Sequence, residues 1–409
     1  MPPYQETAGV AIPELRSLER RAFVAAAASG AISLGGLFLN PTQFLQSYVM
    51  AYMWCLGATL GCLALGMMHQ LTGGGWGVLI RRPIGAASRV LPVLTVFFLP
   101  IALGVHRLYT WADPGIVARD EVLRHKAIYL NVPFFLTRAA LYFLVWNALV
   151  FFLNRWSLEQ DVTGDPNLAR RMQKLSAAGL LAYGVTITFA SFDWLMSLDP
   201  HWYSTIYGVL IMGGQGLTAL AVLTIVLVWL SRRPPLQGVV VPAYFHDLGN
   251  LMLAFTMLWA YFAFSQYLII WSGNLPHEIE WYLHRSYTSW RFAALALVAF
   301  HFAIPFALLL SRRVKRHAQS ILEVAIWILG ARLVDLLWLI APEFHHEGLS
   351  ISWLDVILPV ALGSLWLGTF IWQLRGRAIL PVHDPQFDET LGRIIQRSTG
   401  GPTHPRTAH

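Results

Sequence analysis

The chain reads as long apolar runs broken by short polar clusters, with little of the two-residue alternation that half-buried strands carry. Runs near 22–39, 45–71, 84–109, 129–153, 173–198, 203–230, 246–272, 287–310, 318–341 and 352–374 each come close to, or exceed, the roughly 20 helical residues that cross about 30 Å of hydrocarbon. Asn40-Pro41, Gly73-Gly74-Gly75, Pro234-Pro235 and Ala341-Pro342 punctuate them. The pattern predicts an all-α integral membrane protein with ten transmembrane helices. The stretch Phe189–Gly208 ends one run, carries Asp193 inside it, and reaches the next run after Asp199-Pro200 and the ring-rich His201-Trp202-Tyr203. It is expected to be the hinge between two packed groups of helices.

Composition agrees: 56% of the 409 residues are hydrophobic and only 12% charged. Cys55 and Cys62 share one apolar run and form neither a CxxC nor a haem-attachment motif. The net charge of +7 comes from residues that flank the runs and form no stripe, so it speaks for orientation in a bilayer and against nucleic acid. Of the 29 Lys and Arg, all but Arg107, Arg119, Arg124, Lys126, Arg138, Arg285, Arg291 and Arg332 fall on one side when the runs alternate. That bias predicts cytoplasmic termini and an even helix count. Glu6, Glu14 and Glu19 beside Arg16, Arg20 and Arg21 make residues 1–21 a poor signal peptide and an expected cytoplasmic tail. The loops Trp111–Ala127, Ser272–Tyr287 and Pro342–Ser350 and the turn Asp199–Tyr203 then lie outside, mixing His, Pro and acidic residues with aromatics in a way that suits protein docking. The polar tail 375–409, with Pro381, Pro385, Pro402 and Pro405, is expected to be extended.

Ionisable residues within the runs are the functional candidates, because each is costly in lipid unless paired, wet or used. Asp193 shares a helix face with Ser176, Tyr183, Thr186 and Ser197, either a file for water or a set of locally bonded groups in which Asp193 neutralises an arginine. The ninth run carries Glu323, Arg332 and Asp335, the last two spaced to pair with each other or to face a partner together. His301 sits mid-run in the eighth. His246 and Asp247 stand at the mouth of the seventh, where Asp247 suits a helix start, followed by Asn250, Thr256, Ser265 and Gln266. His106, Arg107, Arg138 and Arg291 gather toward the outer half. The Gly73–Gly77 cluster follows a membrane run and no strand, so it is not a phosphate loop, and no nucleotide motif or iron–sulfur cysteine set occurs. Four helical His ligands paired for two b-type haems are lacking, and Glu343, His345, His346 and Glu347 read as a solvated loop and not a metal site.

The segments FDWLMSLDPHWYSTIYG (192–208), FHDLGNLMLAFTMLWAYFAFSQYLIIWSGNLPHEIEWY (245–282) and YLNVPFFLTR (129–138) resemble the ActF membrane subunits of bacterial alternative complex III, a quinol:electron-acceptor oxidoreductase, and through them the NrfD and polysulfide-reductase membrane subunits. The resemblance implies two four-helix bundles, here 45–198 and 203–341, with one flanking helix at each end, 22–39 and 352–374. It also implies the inner membrane, an ActC-like sister subunit that takes the quinol, a periplasmic iron–sulfur subunit, c-type haem subunits and a terminal cytochrome oxidase. This chain would hold no redox cofactor itself. In the sister subunit quinol oxidation is assigned to a His on the third helix and an Asp on the fourth; here His106 is comparable to the former, but the fourth helix carries Arg138 and no carboxylate.

The leading expectation is therefore a scaffold subunit that conducts protons through Glu323, Asp335, Asp193, His301, His246 and Asp247, with Arg332 and Arg138 setting the local potential. Alternatives are a second quinol pocket framed by His106, Arg138 and Asp193, a purely structural anchor, and, more distantly, a transporter.

Overall fold

The computed structural model describes residues 12–234, 236–375 and 379. Among them are ten helices long and apolar enough to cross a membrane, which makes the chain a multi-pass, all-α membrane protein. We number these spans α1 (Pro13–Leu39), α2 (Pro41–Thr72), α3 (Arg81–Leu103), α4 (Val132–Thr163), α5 (Pro166–Trp194), α6 (Tyr207–Ser231), α7 (Pro242–Gly273), α8 (Trp290–Leu310), α9 (Ala318–Ile340) and α10 (Leu354–Arg375).

Local chemistry sets their limits. Proline at the first or second position opens α1, α2, α4, α5 and α7, where its missing N–H costs nothing. Asn40, Asn131 and Asp165 accept from the backbone N–H of Gln43, Phe134 and Asn167 and so cap α2, α4 and α5. Within α3 the helix is broken after Ser88 and again after Val96, four residues before Pro92 and Pro100, whose rings remove the donors those carbonyls need.

Several boundaries differ from the hydropathy reading. The α1 helix begins at Pro13, so Arg16, Arg20 and Arg21 of the expected tail are helical. The second group starts at Tyr207, because Asp199–Ile206 is a non-helical turn after the 3-10 segment Met196–Leu198. The expected outer loop 272–287 holds a twelve-residue helix, Pro276–Tyr287. Hydropathy marks only the part of a helix that meets lipid, while backbone hydrogen bonding runs on until a stop residue. The expectation for 375–409 lies, beyond Arg375 and Ile379, outside the described residues, as do residues 1–11.

Packing falls into two groups. Helices α2 to α5 contact one another, as do α6 to α9, and α2 and α6 join the groups along the middle. In these two helices 83% and 78% of the apolar window is shielded by protein, against 22% in α1, α7 and α8, so the last three turn most of their surface outward. Gly61 permits the central crossing: an added Cβ would sit 2.1 Å from the Gln215 carbonyl oxygen. Outside the groups, α1 lies along α10, and both lean on α2.

Side-chain ties show that successive spans alternate in direction. At the end where α1 begins, Arg81 donates to Gln160 (3.0 Å), Arg82 pairs with Asp161, Arg89 donates to Gln373 and Asn154 (2.8 Å each), and Arg375 pairs with Glu19 (3.3 Å). We call this the arginine-rich end. At the opposite, loop end, Ser47 donates to Asp355, Lys126 to the Pro200 carbonyl (2.6 Å) and the Trp202 indole to the Glu278 carbonyl (3.2 Å). Interhelical hydrogen bonds within a bilayer average only about 0.6 kcal/mol, so these ties set register more than they supply stability. The continuous apolar core does the latter.

Candidate functional site

Each helix group holds an arginine–aspartate pair in which both side chains are buried. In the first, Asn131 caps α4 so that Arg138 emerges two turns later facing α5, where Asp193 lies one residue from the helix end. Arg138 donates from Nε to Oδ2 and from Nη2 to Oδ1 of Asp193, both at 2.8 Å, and its Nη1 donates to the Tyr129 carbonyl at 2.9 Å. Its guanidinium carbon lies 3.8 Å from the Tyr129 ring centroid and 4.3 Å from that of Phe134. The Tyr142 hydroxyl donates a further bond to Asp193 Oδ2 at 2.7 Å. Asp193 is fully buried and accepts three bonds, so this site is a locked pair.

The second group is less saturated. Arg332 and Asp335 pair along α9, both 3% exposed. The Arg332 guanidinium lies flat on α6 at Gly214, where an added Cβ would stand 2.1 Å from Nη2. Above α9, α8 takes a π-helical turn over Leu297–Ala303, directly before Pro305. Proline cannot donate to the carbonyl four residues back, which is that of His301, and a wide turn absorbs the misfit. This turn places His301 in the interior, wholly buried, with neither ring nitrogen hydrogen-bonded. Its ring meets the Trp259 indole edge-on at 4.2 Å between centroids, and the Trp259 N–H stands beside Asp335 outside hydrogen-bonding geometry.

A polar link joins the groups near mid-depth. The Tyr183 hydroxyl of α5 donates to Gln215 Oε1 of α6 at 2.7 Å, next in sequence to the Gly214 that carries Arg332, while Gln215 Nε2 and, deeper in α5, Ser176 Oγ are buried without partners. Toward the loop end, Ser204, Gln266 and Tyr282 form a hydrogen-bonded chain. Arg285 donates to Glu343 at 2.6 Å and lies 3.4 Å over the Trp281 ring.

The remaining candidates are not brought to this centre. Glu323 is exposed on the outer face of α9, accepting from Gln319 at 3.0 Å, because it lies on the side of the helix away from α6. His246 and Asp247 are half-exposed at the arginine-rich end of α7, where His246 meets Asn250 at 3.2 Å and Lys315 donates to Asn250 at 2.7 Å. His106 is exposed and bonds the Ala112 carbonyl at 2.9 Å, so it does not join Arg138 and Asp193 in a pocket. Arg107 and Arg291 also point outward. Among the described residues no three His, Cys, Asp or Glu side chains are arranged to hold a metal.

Trp259, Gln215, Gly214 and the Arg285–Glu343 pair were not singled out by sequence. The run Gly213-Gly214-Gln215-Gly216 inside an otherwise aliphatic span was the available signal, since small residues there admit a bulky neighbour. No protein-family model matches the chain, and no curated protein matches it.

Proposed function

We propose that this chain is a membrane subunit of a quinol:electron-acceptor oxidoreductase of the alternative complex III kind, which supports assembly and carries protons partway through its second helix group. It would sit in a bacterial inner membrane with the arginine-rich end cytoplasmic, beside an ActC-like sister subunit that takes the quinol. Iron–sulfur and c-type haem subunits would cover the loop end and pass electrons toward a terminal oxidase. The sequence segments quoted above and the basic bias support this placement.

The observation that carries the proton reading is His301: a titratable ring with two unpartnered nitrogens, edge-on to the Trp259 indole whose N–H stands beside Asp335. A buried polar group without a protein partner is costly, so it is retained where a transient partner such as water completes it. Protons would enter near His246, Asp247 and Asn250, pass Thr256 and reach His301 and Asp335. Glu323, facing outward, drops from the path, and Asp193 serves structure. A redox or conformational event in a partner must change the affinities for net movement to follow.

The test uses the intact complex, comparing quinol turnover with proton release for Asp335→Asn and His301→Phe. Retained turnover with lower proton release is expected. Both quantities unchanged in both variants would reject the relay.

A further inference from the structure

At the arginine-rich end, α6, α9 and the start of α1 enclose an open cleft of about 490 Å³. Its deeper wall is apolar, built from Ile225, Val228 and Leu322; its mouth carries Trp229, Arg232, Arg233 and Glu14. One end thus matches hydrocarbon and the other a charged headgroup, in the order a membrane would present them. The Arg233 guanidinium carbon is 3.8 Å from the Trp229 ring centroid, and Nη1 donates to the Trp229 carbonyl at 2.8 Å. The Arg233 Nε is buried without a hydrogen bond, the nearest carboxylate being Glu14 at 4.0 Å. Arg232 is exposed, and Gln319 steadies it by accepting from Nη2 at 2.9 Å. The lining itself carries two guanidinium groups and one carboxylate, with Glu323 one hydrogen bond beyond on Gln319, so guanidinium outnumbers carboxylate at the mouth where a phosphodiester would sit.

We propose that this cleft binds an anionic phospholipid, with the phosphodiester on Arg232 and Arg233 and the first part of an acyl chain on the half-exposed Ile225 and Leu322. Guanidinium forks take phosphate oxygens in pairs, and basic pockets between transmembrane helices are the places where headgroups dock. The inference needs only a chain that spans a bilayer; it is independent of any role in electron transfer.

Native mass spectrometry of the full chain, titrated in parallel with phosphatidylglycerol and phosphatidylcholine, tests it. The natural chain should favour phosphatidylglycerol by about tenfold or more, in line with two basic groups at a membrane surface. Arg232→Gln with Arg233→Gln should abolish the preference, and Arg232→Lys with Arg233→Lys should keep most of it. Ile225→Trp leaves both arginines in place and fills the apolar wall, so it should also weaken phosphatidylglycerol binding. Equal retention of the two lipids by the natural chain would overturn the proposal, as would an undiminished preference in the double Gln chain. Displacement of phosphatidylglycerol by millimolar inorganic phosphate would show an ion site instead, and so would undiminished binding in Ile225→Trp.

Discussion

Arg138 holds Asp193 by both edges, Nε to Oδ2 and Nη2 to Oδ1 at 2.8 Å, so that two charges within the span cancel in one fixed geometry. Removing either partner strands the other. Asp193→Leu alone should lower stability by about 3–5 kcal/mol, the usual cost of an uncompensated buried charge. Arg138→Met combined with Asp193→Leu should recover much of that loss. Thermal unfolding in detergent of the two single variants and the double variant measures the coupling directly.

Arg332 depends on a neighbour with no side chain. Gly214→Ala would drive a methyl to 2.1 Å from Nη2, whereas Gly213→Ala meets Phe262 at an ordinary 3.4 Å. The first substitution should cost about 1–3 kcal/mol through overpacking and displace the guanidinium. The second should be nearly silent. Parallel melting curves decide, and equal effects would refute the close approach.

His301 offers a different contrast. Since neither ring nitrogen bonds to protein, His301→Phe deletes two unsatisfied groups while keeping a ring against Trp259. Stability should be unchanged or higher by about 1 kcal/mol. A large loss would mean that the imidazole has a partner in the working protein.

At the loop end, burial, followed by the charges of His346 and Arg285, holds the His284 imidazole below its ordinary value. The folded form therefore binds a proton less readily than the unfolded chain. Stability is insensitive to this group above about pH 6.5 and falls as pH drops below that value. Melting temperature should decline between about pH 7 and about pH 5.5, and His284→Gln should flatten the decline.

Much of the architecture was legible along the chain. Ten apolar runs, the Asn40-Pro41 break between the first two, and the turn after Asp193 follow from the length a bilayer demands and from residues that interrupt a helix. The pairing of Arg332 with Asp335 was also readable, because three residues of helix fix their separation. The partner of Asp193 was not, since Arg138 lies 55 residues away on another helix and only the α4–α5 packing brings them together. Glu323 shows the same limit from the other side. It shares α9 with Asp335, yet rotation of that helix against α6 turns one carboxylate outward and buries the other.

What the sequence by itself determined is membership of the bilayer: which segments cross it, and which end gathers positive charge. These are properties of solvent transfer and local backbone chemistry, and each is additive along a chain. Tertiary structure alone decided which polar groups meet across helices, because contact between helices depends on rotation, crossing angle and the glycines that allow close approach. His301 is the clearest case: a proline four residues downstream widens one turn of α8, and the inward-facing position of the imidazole follows from that turn together with its packing on α7 and α9.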